Sequence, residues 1–86
     1  MRTARQHRID RAVARELFNC GDYLVPHETL IDAVNLLIME PRPTRAEIED
    51  SIRHHDAEGR LTGIAGEAGT KWKLSDAGRA WWHENQ

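Results

Sequence analysis

The stretch TRAEIEDSIRHHDAEGRLTGIAGEAGTKWKLSDAGRAWW, Thr44 to Trp82, decides the fold of this 86-residue chain. It reads as helix, strand, turn, strand, helix with almost no slack. Thr44 can accept from a free amide of a first turn while Glu47 reaches back to the cap residue's own amide, so a helix starts there. Ile48, Ile52 and His55 recur on one helical face, and Gly59 supplies the left-handed residue that stops the helix after about four turns. Beyond Gly59 the period drops to two. From Thr70 to Ser75, Trp72 and Leu74 point one way and Lys71 and Lys73 the other, as in a strand with one buried face. Its partner, Arg60 to Ala65, is interrupted at Gly63. Gly66, Glu67, Ala68 and Gly69 form the reversal, with both glycines expected at positive φ. Ser75 caps a closing helix over residues 76–85, and Asp76 sits against its positive end.

Working towards the N-terminus, Gln6 to Asn19 has a helical pattern. Ile9, Val13 and Leu17 form an apolar row at four-residue spacing, with Arg8, Arg11 and Arg15 on a neighbouring face. Gly21 ends it, and Tyr23, Leu24 and Val25 suffice for a short third strand. Pro26 suits the start of a second helix, where its missing amide costs nothing. That helix carries Leu30, Ile31, Val34, Leu37 and Ile38, a stripe that must face a core, and Pro41 and Pro43 end it. The predicted fold is therefore α+β, in the order helix, strand, helix, helix, strand, strand, helix, as a single domain over residues 1–86. Residues 1–8 are expected to form a basic arm, and residues 60–75 the hairpin.

Composition bounds the rest. A chain this short buries only about 60 to 65% of its unfolded surface, so each large apolar side chain counts. Apolar residues at 40% and charged residues at 30% match an ordinary folded domain rather than a disordered chain. The single cysteine, Cys20, excludes an internal disulfide and fits a reducing compartment. Leu36 to Met39, the longest apolar run, is too short to span a bilayer, and no apolar signal-peptide core follows Arg2, Arg5 and Arg8. A cytoplasmic location is expected.

The order of elements resembles the winged helix-turn-helix domains of bacterial regulators such as the PadR and MarR families. The residues carrying the likeness are TRAEIEDSIRHHDAEGRL, a capped helix ending in glycine and entering a strand, and KWKLSDAGRAWW, a second strand running into a helix. The resemblance implies that the helix matching residues 44–58 enters the DNA major groove and that the hairpin, or wing, touches the backbone beside it. On that basis Arg45, Arg53 and His54 are candidates for reading base edges, and Arg42, Lys71 and Lys73 for holding phosphates. Thr44 would offer its hydroxyl and the helix-end amide to a phosphate. Arg2, Arg5 and Arg8 would bind phosphates from the arm. The function implied is that of a small DNA-binding transcription regulator or mobile-element protein, with duplex DNA as partner.

Charge argues on the other side. Between Arg45 and Glu58 two arginines face Glu47, Glu49, Asp50, Asp56 and Glu58, and Arg45, Glu49 and Arg53 are spaced to pair with one another. Residues 1–15 hold five arginines against Asp10 alone, so of the chain's net charge of -2 the other 71 residues account for -6. A negative helix forfeits counterion release on approaching DNA. The alternative is a protein-interaction module on the same scaffold without nucleic acid. Trp81 and Trp82, adjacent on a helix, point about 100° apart, and one of them is expected to make a homodimer contact. Nothing points to catalysis. His54, His55 and Asp56 are consecutive on a helix and cannot enclose one ion, Cys20 reads as an inert thiol, and Gly66 and Gly69 do not make a phosphate loop. No enzyme activity, metal or cofactor is expected.

Overall fold

The computed structural model describes residues 1–37 and 40–86. It contains α1 (Ala4–Asn19), β1 (Val25–Pro26), α2 (His27–Asn35), α3 (Arg45–Ala57), β2 (Leu61–Gly66), β3 (Gly69–Leu74) and α4 (Asp76–Asn85). The strands form one antiparallel sheet in the order β1-β3-β2. Pro26, which has no amide to donate, lies on its edge strand and pairs with Lys71.

The first helix begins earlier than its apolar pattern indicates. Thr3 accepts from the Gln6 amide and the Gln6 side chain accepts from the Thr3 amide, a reciprocal cap that starts α1 at Ala4. Residues 4–8 are therefore helical, and the expected basic arm is not a free one. The α2 helix stops sooner than expected, at Asn35. Its side chain donates to the Pro43 carbonyl at 2.8 Å, tying the end of α2 to the turn before α3. Leu37 packs against the core from beyond the helix, and Ile38 lies outside the described residues.

At α3 the expected caps are present: Thr44 and Glu47 exchange hydrogen bonds at the start. Gly59, at φ +74°, closes the other end, where the Arg60 amide donates to the His55 carbonyl and the Gly59 amide to that of Asp56. In the hairpin Gly66 pairs with Gly69, so the loop is only Glu67 and Ala68. Of the two glycines only Gly69 has positive φ, which corrects the expectation for Gly66. Gly63 pairs with Trp72, and the indole lies over it; a Cβ there would come within 2.5 Å of the ring. The glycine that breaks the alternation of β2 is the space the tryptophan occupies.

The core is built by Ile9, Val13 and Leu17 of α1, Leu30, Ile31 and Val34 of α2, Ile48 and Ile52 of α3, and Leu61 and Leu74 of the sheet. Each such side chain contributes about 1.5 to 3 kcal/mol by leaving water. Within the same interface lies a buried polar cluster. The Asp10 carboxylate accepts from Arg2 at 2.6 and 3.0 Å and from the Ser51 hydroxyl at 2.7 Å, while Arg2 also reaches Asp50 at 2.9 Å. His55, 0% exposed, donates from Nε2 to the Asp10 carbonyl at 2.8 Å, and its Nδ1 accepts from Arg60 at 3.2 Å. Every buried side-chain polar atom among the described residues has a partner, the condition under which such a cluster rigidifies the contact between α1 and α3.

The C-terminal helix packs back on α1. Trp81 and His55 pack edge to face with ring centroids 5.0 Å apart, and the Arg60 guanidinium lies 4.7 Å from the Trp81 ring centroid; the Trp82 and Phe18 ring centroids are 6.1 Å apart. Both rings are half-buried within the chain, so each packs partly on the chain's own core and keeps part of its surface exposed. No helix among the described residues is long and apolar enough to cross a membrane.

Candidate nucleic-acid interface

Ile48, Ser51, Ile52 and His55 turn inward, which directs Arg45, Glu49 and Arg53 to the outer side of α3. These three do not share one fate. The Arg45 guanidinium forms two hydrogen bonds to Glu28 at the start of α2, at 2.5 and 2.7 Å, and its Nε reaches Glu49 at 3.2 Å. That pairing holds the Glu28 carboxyl below its ordinary range. Glu49 in turn accepts from His27 Nε2 at 3.1 Å, the largest cause of its own lowered pKa. The Trp72 indole donates to His27 Nδ1 at 3.1 Å, so that nitrogen carries no proton and Nε2 holds the one shared with Glu49. A polar chain thus runs from the hairpin through α2 to α3, fixing their relative placement and occupying Arg45.

Thr44 is also taken. Its hydroxyl and amide are engaged with Glu47, whose carboxylate occupies the helix start where a phosphate was expected. The Arg5 guanidinium, at 2.6 and 3.0 Å, and then the Thr44 amide hold the Glu47 carboxyl down at about 2. Two of the three expected arm arginines therefore serve the fold, Arg2 on Asp10 and Asp50, and Arg5 on Glu47. The reason is the cap at Thr3, which winds them into or against α1.

Arg42, Arg53 and Lys71 are exposed, and Lys73 and His54 half-buried. None of the five forms an ion pair among the described residues. Lys71 and Lys73 stand on the face of β3 opposite Trp72 and Leu74, paired across to Ile64 and Thr62 of β2. Ile64 is half exposed, so the outer face of the hairpin combines two ammonium groups with an apolar residue and a hydroxyl. This surface can meet an anionic backbone.

The residue types of a hydrolytic triad occur together in Asp10, Ser51 and His55, but their wiring is different. Ser51 donates to Asp10 rather than to His55, and all three are buried. No cluster of three potential metal ligands is present among the described residues. Burial, followed by the Glu16 charge, raises the Cys20 thiol pKa, which keeps it protonated. The polar cluster itself was not visible in the sequence, because Asp10 meets Ser51 and His55 across 41 and 45 residues. Searches among known proteins find no matching family model, no matching curated protein and no matching solved structure.

Proposed function

We propose that this chain is a winged-helix DNA-binding module that sets the outer side of α3 in a major groove and the β2–β3 hairpin against the adjacent backbone. The element order and the β1-β3-β2 sheet support the scaffold. One observation carries the function. On α3 and the hairpin, Arg53, Lys71 and Lys73 lack carboxylate partners among the described residues, whereas the cations at the α1 start and at Arg45 are tied down by carboxylates. In this reading Arg53 reaches base edges, Lys71 and Lys73 hold phosphates, and Arg45 is a braced residue set in place by Glu28 and Glu49. A small DNA-binding regulator is the role that fits.

The test is fluorescence anisotropy on a labelled random-sequence duplex with purified variants. Arg53→Ala and the Lys71→Ala/Lys73→Ala pair should each weaken binding by about fivefold to tenfold, as loss of one or two phosphate or base contacts does. Unchanged binding in both would remove α3 and the hairpin as the DNA surface. A second reading, a protein-interaction module on the same scaffold, is favoured by the Glu28–Arg45–Glu49 arrangement, which neutralises the start of α3. Absence of DNA binding at low salt by the folded protein would select it.

A further inference from the structure

The arginines of α1 that do not serve the fold lie together. Arg8, Arg11 and Arg15 are exposed, and none forms an ion pair among the described residues. At 100° per residue they share one side of α1, turned away from Asp10 and so from α3. They line an open groove of about 610 Å³ whose other walls are Leu36 and Leu37, after α2, and Trp82 of α4. Leu36 is 72% exposed, the most exposed leucine of the chain. Among the described residues no carboxylate lines the groove. It is an apolar floor edged by a row of three guanidinium groups.

We propose that this groove docks an acidic amphipathic helix of a partner protein. The row from Arg8 to Arg15 runs about 10 Å along α1, two turns of a helix laid beside it, so carboxylates spaced three to four residues apart on the partner meet successive arginines. Apolar side chains on the partner's same face then cover Leu36, Leu37 and Trp82. Charge decides among the occupants. A second copy related by a two-fold axis over this face would bring arginine against arginine, and a phosphate backbone would leave the leucines in water. Only an occupant both acidic and apolar satisfies both parts of the groove. The site lies on the side of α1 remote from α3, so it does not depend on the DNA-binding reading.

The test titrates the full chain with a synthetic 18-residue helical peptide bearing glutamate and leucine along one face, and with the same peptide carrying glutamine for glutamate. Binding is followed by anisotropy and by the indole N–H signals of the 15N-labelled protein. The expected result is saturable binding that shifts the Trp82 indole signal and leaves that of Trp72 in place. Affinity should drop about tenfold or more with the glutamine peptide, with Arg11→Glu/Arg15→Glu and with Leu36→Asp. These substitutions are at solvent-facing positions; circular dichroism checks the fold, and Arg11→Gln/Arg15→Gln serves if charge reversal unfolds the chain. The proposal is overturned if the acidic peptide does not bind or binds no better than its glutamine form. It is overturned equally if the arginine variants lose duplex DNA binding instead, or if they abolish a self-association seen by sedimentation.

Discussion

Asp10 is a single side chain on which the contact between α1 and α3 depends. Its carboxylate is buried between α1 and α3 and satisfied by Arg2 and Ser51, so Asp10→Asn leaves the Arg2 guanidinium without its main charge partner. The expected loss is about 2 to 4 kcal/mol, read as a lower urea midpoint with an unchanged slope. Burial by itself would raise the Asp10 carboxyl pKa; the Arg2 and Ser51 hydrogen bonds, with His55 nearby, bring it below the ordinary value. For His55, burial dominates the hydrogen bond to the Asp10 carbonyl and lowers the imidazole to about 4. Both groups bind protons more weakly when folded, so both favour the folded state at neutral pH and lose that contribution on acidification. The windows differ. The His55 contribution fades as pH falls from about 6.5 to about 4, and that of Asp10 below about 4, through its depressed folded pKa. Urea midpoints between pH 7 and pH 4 should therefore fall steadily, and His55→Gln, less stable at pH 7, should flatten that slope. Sequence periodicity put His55 on an inward face correctly. It had no means of reporting its partners, which come from another helix far away in the chain.

At the scale of elements, the hairpin and α3 were legible because their signals are local: a reciprocal cap, a terminating glycine, and a period of two. The start of α1 carries the same kind of signal in Thr3 and Gln6, but the excess of arginine there is equally compatible with a basic arm. The length of α2 was overestimated because its apolar stripe continues past the residue that ends the helix; Leu37 packs on the core from a turn. The two glycines at close approaches test the packing of elements most directly. Gly63→Val would drive a side chain into the Trp72 ring, and Gly78→Ala would press a methyl group on the Arg60 carbonyl beneath α4. Each is expected to cost about 1 to 3 kcal/mol, measured by thermal unfolding. Gly63→Val should also alter the near-ultraviolet circular dichroism of Trp72, whereas an alanine at exposed Ala65's neighbour Gly66, with negative φ and ordinary contact space, should be tolerated.

For the whole molecule, the distribution of cations underlies the proposed function. Among the described residues carboxylates claim Arg2, Arg5, Arg45 and Arg79, and Arg60 is taken up by Trp81 and His55, which leaves charge on two sides: Arg42, Arg53, Lys71 and Lys73 with α3 and the hairpin, and Arg8, Arg11 and Arg15 on the remote side of α1. Net charge hides this arrangement, since an overall value of -2 says nothing about which cations are already paired. It also explains why the candidate site was only partly readable. Residue type nominated Arg53 and Lys71 as well as Arg45 and Thr44, but only tertiary contacts separate the first two from the last. The two sides should be independent, so Arg11→Glu/Arg15→Glu should leave duplex binding within about twofold, an effect expected of charges that do not touch the DNA. The central claim is that the hairpin lysines hold the DNA backbone beside the groove that α3 enters, and the most direct measurement is duplex affinity across a salt series for the native chain and Lys71→Ala/Lys73→Ala. The account predicts a linear fall of log affinity with log salt, with a slope shallower by about 2 in the double variant, close to one per lost phosphate contact. Equal slopes and affinities in the two proteins, or no binding by the native chain at low salt, would contradict it.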